Sequence, residues 1–183
     1  MREVNVVASG GECKELLFLL DREWTGAPST IVVDNGTVME IPGQAGSEGR
    51  YDLPKEGDVL FEPGKALAKA GAFSLPCRFG LTKLGMHTHL YFAEEVPEAL
   101  EHLGKWFEVL EVLPLNNRTM KEAGKRWPQA EVTARNVPMT SDLLRKKLGC
   151  ASGGDVHLFG VRVDAVSGAG NYLIVTKKRY GTD

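Results

Sequence analysis

Strand-like and helix-like patterns alternate through the second half of the sequence, and this alternation limits the possible folds more than any other feature. Short runs of β-branched and apolar residues indicate strands, whereas apolar residues three or four positions apart indicate helices. Strands are predicted over residues 106–113, 131–135, 155–164 and 171–178. Helices are predicted over residues 116–127 and 141–148, between the first three of these strands. A turn over residues 167–170 joins the last two strands as a hairpin. This order predicts a mixed α/β (α+β) fold.

Local signals set the ends of these two helices. Pro128 directly follows the first helix and stops it, because proline lacks the backbone N–H that a helix needs. The second helix begins after Pro138, with Thr140 or Ser141 in the position of the N-cap. Gly149 supplies its C-terminal stop.

The first 33 residues predict a β-α-β unit. Residues 4–7 and 30–33 are rich in valine and predict two strands. A helix is predicted between them because apolar residues recur there at helical spacing: Cys13, Leu17, Leu20 and Trp24. The turn at residues 9–11 is predicted to join strand and helix tightly. A phosphate loop is disfavoured there, since Glu12 and Glu15 would occupy the helical turn that an anion needs.

Residues 42–57 divide the chain into two predicted units. Proline, glycine and serine are dense in this stretch, and large apolar residues are few. We therefore expect one unit over residues 1–56 and a second over residues 57–183. The second unit is predicted to open with a strand at 59–61, a helix from Pro63 to about Phe73 or Phe79, and a strand at 89–93.

Several features predict a cytoplasmic, soluble protein. The longest apolar run is five residues, far below the ~20 residues that span a bilayer. The first residues lack the apolar core and cleavage site of a signal peptide. The three cysteines, Cys13, Cys77 and Cys150, are odd in number and widely separated, which favours a reducing compartment.

No catalytic or metal-binding motif is recognisable in the sequence. His87 and His89 would project from one face of a strand, but no further ligand lies at a motif spacing, so we expect ordinary structural histidines. Cys77 stands beside Arg78, with no identifiable base, and is predicted to be a small buried hydrophobic residue. We accordingly assign no catalytic residue and no metal ligand.

Charge is distributed unevenly along the chain. Residues 1–117 contain 10 basic and 18 acidic side chains, a net of −8, whereas residues 118–183 contain 12 and 6, a net of +6. The basic residues concentrate near 121–126, 145–147 and 177–179. Two interpretations remain open: phosphate binding, or helix-dipole compensation and solubility. The candidate RNA-binding residues are Lys121, Lys125, Arg126, Arg135, Arg145, Lys146, Lys147, Lys177, Lys178 and Arg179.

An ordered set of stretches resembles the C-terminal region of certain bacterial class I SAM-dependent methyltransferases. A THUMP-like domain is indicated by residues 59–63, 69–73, 78–84, 88–91, 107–112, 134–138, 143–148 and 153–159. Residues 3–33, and 12–17 in particular, resemble the small ferredoxin-like domain that precedes it. The chain carries no glycine-rich SAM turn, no ribose-binding acid and no Asn/Asp-Pro-Pro motif. The resemblance therefore implies an accessory region whose catalytic domain is not in this sequence.

Three functional hypotheses follow. The first is a substrate-binding region that binds structured RNA for an N-terminal Rossmann-like methyltransferase domain. The resemblance then implies no cofactor in this chain and SAM in the full-length enzyme, and no membrane partner. The second is a structural or protein-interaction module that supports the catalytic domain without contacting nucleic acid. The third is a complete small enzyme, which the lack of catalytic motifs disfavours. The uneven charge favours the first hypothesis.

Overall fold

The computed structural model describes residues 1–41 and 49–179. Within them the chain forms eleven strands and four α-helices: β1 (Glu3–Ser9), β2 (Glu12–Leu19), β3 (Ser29–Asp34), β4 (Thr37–Ile41), β5 (Val59–Pro63), α1 (Lys65–Lys69), α2 (Leu75–Arg78), β6 (Thr82–Gly85), β7 (Thr88–Ala93), β8 (Gly104–Pro114), α3 (Asn117–Arg126), β9 (Glu131–Arg135), α4 (Ser141–Leu148), β10 (Val156–Val163) and β11 (Gly170–Lys178). None of these helices is long and apolar enough to cross a membrane. The mixed α/β fold class is confirmed.

The first sheet has the order β2-β1-β3-β4, with β1 and β3 parallel. The helix predicted between the first two strands is wrong, because that segment is β2. Gly10 and Gly11 have φ values of +60° and +76°, which suit a two-residue hairpin turn and send the chain back along β1. The β-α-β unit and the strand-to-helix turn predicted there are therefore wrong as well.

The second sheet has seven strands in the order β6-β7-β5-β8-β11-β10-β9. The terminal hairpin of β10 and β11 is confirmed, and β9 pairs parallel to β10. The sheet curls, so that β6 and β7 at one side of the sheet approach the end of β10 near the other side. Thr88 Oγ1 donates to the Arg162 carbonyl at 2.6 Å, and the Asp164 N–H donates to the Leu84 carbonyl at 3.0 Å.

Three apolar clusters form the core. The concave face of the curled sheet buries Leu60, Phe107 and Phe159 in one cluster. On the convex face, α3 and α4 cover β8 to β11 in a second cluster. A third cluster joins the two sheets, since Val6 and Val32 of the first pack with Phe61 and Leu67 near α1.

The expected division at residues 56 and 57 therefore falls between two sheets that share buried contacts. Residues 42–48 of the expected boundary segment lie outside the described residues. Asp34 reinforces this junction, because it is buried and accepts a hydrogen bond from the Ala66 N–H at 3.4 Å. Gly64 packs closely beside it, since a Cβ there would overlap Asp34 Oδ2 and would lie 2.9 Å from the backbone carbonyl oxygen of Leu103.

The helices that connect strands of the second sheet have the predicted ends, except for the helix predicted after Pro63. The continuous helix predicted from Pro63 is wrong: Pro63 ends β5, and two short helices follow. Gly71, which has a φ of +69°, lies between these two helices, and its left-handed backbone conformation is incompatible with one continuous helix. The later helices are confirmed. Asn116 caps α3 through a capping box, Thr140 caps α4, and Gly149 ends α4 in the left-handed conformation.

Candidate nucleic-acid interface

The topology gathers three of the predicted basic segments at one edge of the second sheet. Helices α3 and α4 both end at the edge where β9 and β10 begin, as the hydrogen bond from the Ala151 N–H to the Pro128 carbonyl at 2.8 Å shows. β11 ends at the same edge, because Lys177 pairs with Val156 at the start of β10. We call this surface the basic edge, formed by Lys125, Lys146, Lys147, Lys177, Lys178 and Arg179.

The lysines of the basic edge are exposed. No ion pair within residues 1–41 and 49–179 engages any member of this edge. Lys121 lies one turn before Lys125 on α3 and is exposed as well. A lysine ammonium group that has no ion-pair partner can bind a phosphate without first breaking a contact within the protein.

Three of the four candidate arginines, Arg126, Arg135 and Arg145, are held by acidic partners. Arg126 lies 2.7 Å from Glu111 of β8, and its guanidinium stacks 4.2 Å above the Trp127 ring. Arg126 therefore turns towards the sheet, whereas Lys121 and Lys125 of the same helix are exposed.

Arg145 also faces the protein. It lies 3.4 Å from Asp142 and 4.0 Å from Glu131, and its side chain is only 30% exposed. A hydrogen bond of 2.8 Å from the Ser152 hydroxyl lowers the pKa of Glu131, with a smaller contribution from Arg145. Glu131 therefore stays ionised and offsets the Arg145 charge.

Arg135 is separated from the other candidates. It stands at the opposite end of β9 from the basic edge and pairs with Glu62 of β5 at 2.7 Å. This ion pair lies between two contiguous cavities of about 380 Å³ and about 290 Å³. The larger cavity opens between the Asp34–Asn35 turn and the concave face of the second sheet. Sequence reasoning missed this cleft, because its walls come from six distant segments.

His157 forms part of the wall of the larger cavity. Its ring stacks on Phe159 with centroids 4.0 Å apart, and its Nε2 lies 2.7 Å from Thr133 Oγ1. Burial lowers the pKa of His157 to about 4, against 6.5 for a free imidazole. The ring is therefore neutral at pH 7 and acts as a packed, hydrogen-bonding group.

The remaining histidines and cysteines are dispersed through the fold. His89 stacks on Phe73 at 3.9 Å, and His87 is exposed. Among the described residues, no group of three or more His, Cys, Asp or Glu side chains is placed to hold a metal. Cys77 is half-buried against the shared core, and burial raises the pKa of the Cys150 thiol.

The low pKa of His157 predicts a loss of stability in mild acid. In the unfolded chain the imidazole takes up a proton below about pH 6.5, whereas the folded imidazole stays neutral until about pH 4. The unfolded state binds more protons in this window, so the free energy of unfolding falls as the pH drops from 6.5 to 4. The full effect is on the order of 3 kcal/mol.

His157→Gln should remove this component while keeping a hydrogen-bonding group near Thr133. Urea unfolding at pH 7 and pH 5 measures the difference, and His102→Gln, at an exposed position, serves as the control. An NMR titration that gave His157 a midpoint near 6.5 would contradict the assignment.

Comparison with known proteins identifies two domains. Residues 104–178 match a family model described as THUMP domain-like, and residues 60–100 match one described as a ferredoxin-like domain. The THUMP-like match runs from β8 to β11 and contains all but Arg179 of the basic edge. The ferredoxin-like match runs from β5 to the segment after β7, whereas the sequence analysis expected that unit over residues 1–56.

One solved structure resembles nearly the whole chain. It is the crystal structure of a "putative methyltransferase" from Porphyromonas gingivalis W83, with 28% sequence identity and a TM-score of 0.83. The similarity covers 98% of this chain but only 46% of that one, so this chain spans less than half of the matched protein. No curated protein matches the chain. We conclude that this chain has a mixed α/β fold that contains a ferredoxin-like domain followed by a THUMP domain-like domain.

Proposed function

We propose that this chain is the substrate-binding region of a SAM-dependent methyltransferase and that it binds structured RNA at the basic edge. The observation that carries the proposal is the convergence of three basic segments from α3, α4 and β11 within the THUMP-like domain. These segments are 18 or more residues apart in sequence, and only the fold brings them to one surface.

The charge balance of the basic edge supports phosphate binding. Its six basic side chains are exposed, whereas the nearby Glu131 is engaged by Ser152 and Arg145. Phosphate contacts supply most of the sequence-independent affinity for nucleic acid. Lysines at the ends of the strands would contact phosphates of the RNA backbone. Duplex RNA would be recognised mainly by its shape and by its 2′-hydroxyls. We therefore expect little sequence preference.

The methyl-transfer chemistry is proposed to lie outside this chain. The similar Porphyromonas gingivalis protein is more than twice as long as the part that this chain matches. We assign SAM binding and catalysis to an N-terminal Rossmann-like domain of the full-length enzyme, and no cofactor to the residues present here. No disulfide joins the cysteines of the described residues, which supports a reducing, cytoplasmic location.

The test of RNA binding is a salt titration of affinity. Fluorescence anisotropy of a labelled stem-loop RNA should show binding at low salt. With about three to five phosphate contacts and a log–log slope of roughly 0.7 per contact on single strands and 0.9 on duplex, affinity should fall by roughly 20-fold or more between 50 and 200 mM salt. Absence of binding at 50 mM salt would reject the RNA proposal and favour the protein-interaction module.

A further inference from the structure

β2 is the most unusual surface in the described part of the chain. All eight of its residues, Glu12–Leu19, are exposed. Four consecutive large apolar side chains are included, with exposed fractions of 44% for Leu16, 50% for Leu17, 58% for Phe18 and 46% for Leu19. Leu20, just after the strand, is 75% exposed. Contiguous apolar surface of this kind marks an interaction site.

The apolar residues of β2 occupy both faces of the strand. Successive side chains of a strand point to opposite sides, so Leu16 and Phe18 face one side of the sheet while Leu17 and Leu19 face the other. A sheet with one solvated face alternates apolar and polar residues, whereas a strand covered on both faces has a continuous apolar run. β2 has the continuous apolar run that is typical of a strand covered on both faces.

The outer edge of β2 is also open. β2 ends the first sheet and pairs only with β1 among the described strands. Proteins usually protect an edge strand with charges, prolines or bulges. The other edge strand of this sheet, β4, does alternate half-buried and exposed residues and includes Glu40. The charges and the bulge of β2 lie in its first half, Glu12–Glu15, and the following four residues, 16–19, have no such protection.

We infer that β2 is an interior strand of a larger sheet, in which a strand of an α/β domain pairs with its free edge and helices of that domain cover both faces. The inference rests on the proposed function, since the occupant is the methyltransferase domain assigned above. Helices on both faces of an open sheet are the architecture of doubly wound α/β domains. They would cover the two apolar faces that the described helices leave exposed.

The matched Porphyromonas gingivalis protein favours a domain of the same polypeptide as the occupant. This chain corresponds to 46% of that protein, so more than half of its length is available to cover the strand. A second copy of this chain could pair edge to edge through β2. Such a dimer would satisfy the backbone but would bring no helix to bury Leu17 or Phe18.

The test compares one pair of substitutions in two proteins. Leu17→Lys/Phe18→Lys places one charge on each face of β2, and Val38→Lys, at a 65% exposed position on β4 of the same sheet, is the control. In this chain, both variants should leave the melting temperature nearly unchanged, because the positions are exposed. In the full-length Porphyromonas gingivalis protein, the substitutions at the positions aligned with Leu17 and Phe18 should lower the melting temperature by roughly 5 °C or more, and the aligned control should not.

Two outcomes would overturn the inference. Equal and small effects in both proteins would show that the aligned strand is exposed in the longer one. Sedimentation of this chain as a stable dimer that Leu17→Lys/Phe18→Lys dissociates would assign β2 to a second copy. RNA affinity of this chain is measured separately and should differ by less than about threefold between Leu17→Lys/Phe18→Lys and wild type, through long-range electrostatics alone. A failure of this chain to bind RNA therefore leaves the β2 result interpretable.

Discussion

Lys146→Glu/Lys147→Glu should weaken binding to structured RNA by about tenfold or more at 100 mM salt. Each lost phosphate contact costs about fivefold at this salt concentration, and the introduced carboxylates add repulsion. Both lysines are exposed in the last turn of α4. Charge reversal at a helix C-terminus costs only about 0.3–1 kcal/mol of stability per residue. Anisotropy titrations at 25 °C, with circular dichroism to verify folding, measure the effect.

The matched control reverses two charges elsewhere on the molecule. Lys69 occupies the last turn of α1, and Lys14 lies on β2, so Lys14→Glu/Lys69→Glu changes the net charge equally outside the basic edge. The control should lose less than about threefold in affinity, through long-range electrostatics alone. Equal losses in the two double variants would mean that overall charge, and not the basic edge, governs binding.

Arg145→Gln separates phosphate binding from internal pairing. Arg145 already contacts Glu131 and Asp142 within the protein. If its role is structural, its replacement should change stability more than RNA affinity. The lysine pair should show the reverse, because neither lysine has an ion-pair partner among the described residues.

Gly124→Ala should destabilise the protein by about 2–4 kcal/mol, although alanine is the better helix former. Helix propensity alone would favour the substitution by about 1 kcal/mol. However, a Cβ at position 124 would lie 1.7 Å from the Leu148 carbonyl oxygen, and that atom belongs to the backbone at the end of α4. The overlap forces α3 and α4 apart, and overpacking of this kind outweighs the propensity gain. The melting temperature should fall by roughly 4–16 °C.

Gly168→Ala is the control for this substitution, since the nearest atom to its added Cβ is Tyr172 Oη at 3.9 Å. It should change the melting temperature little. RNA affinity should also fall in Gly124→Ala, because Lys125 and Lys147 are sequence neighbours of the two residues in contact. A neutral or stabilised Gly124→Ala variant would show that the two helices can separate without cost.

The parts of the fold that were predicted correctly depend on local signals. The bounds of α4 match the prediction because the N-cap Thr140 and the C-terminal Gly149 act on the adjacent helical turn. The bounds of β9 match because its short valine-containing run is itself a local signal for a strand. The β10–β11 hairpin also follows from adjacent segments. The THUMP-like resemblance is confirmed for the stretches within residues 104–178, whereas the four stretches before residue 100 fall in the match to the ferredoxin-like domain.

The errors arose where local patterns allow two structures. Cys13, Leu17, Leu20 and Trp24 have helical spacing, but the run Leu16–Leu20 is equally compatible with a strand covered on both faces. The hairpin turn at Gly10 and Gly11 and the pairing with β1 decide for the strand. A single sequence does not contain that pairing information in any local form.

The sequence by itself determined the fold class, the ends of α3 and α4 and the excess of basic residues after position 117, because each depends on residue type or on near neighbours. Tertiary structure alone decided which charges are available. It paired Arg126, Arg135 and Arg145 with Glu111, Glu62 and Glu131, partners between 14 and 73 residues away. It also left the lysines of three distant segments together and exposed at one edge. Side chains meet according to strand order and helix crossing, which long-range packing sets, so no count of residues along the chain could distinguish the bound arginines from the free lysines.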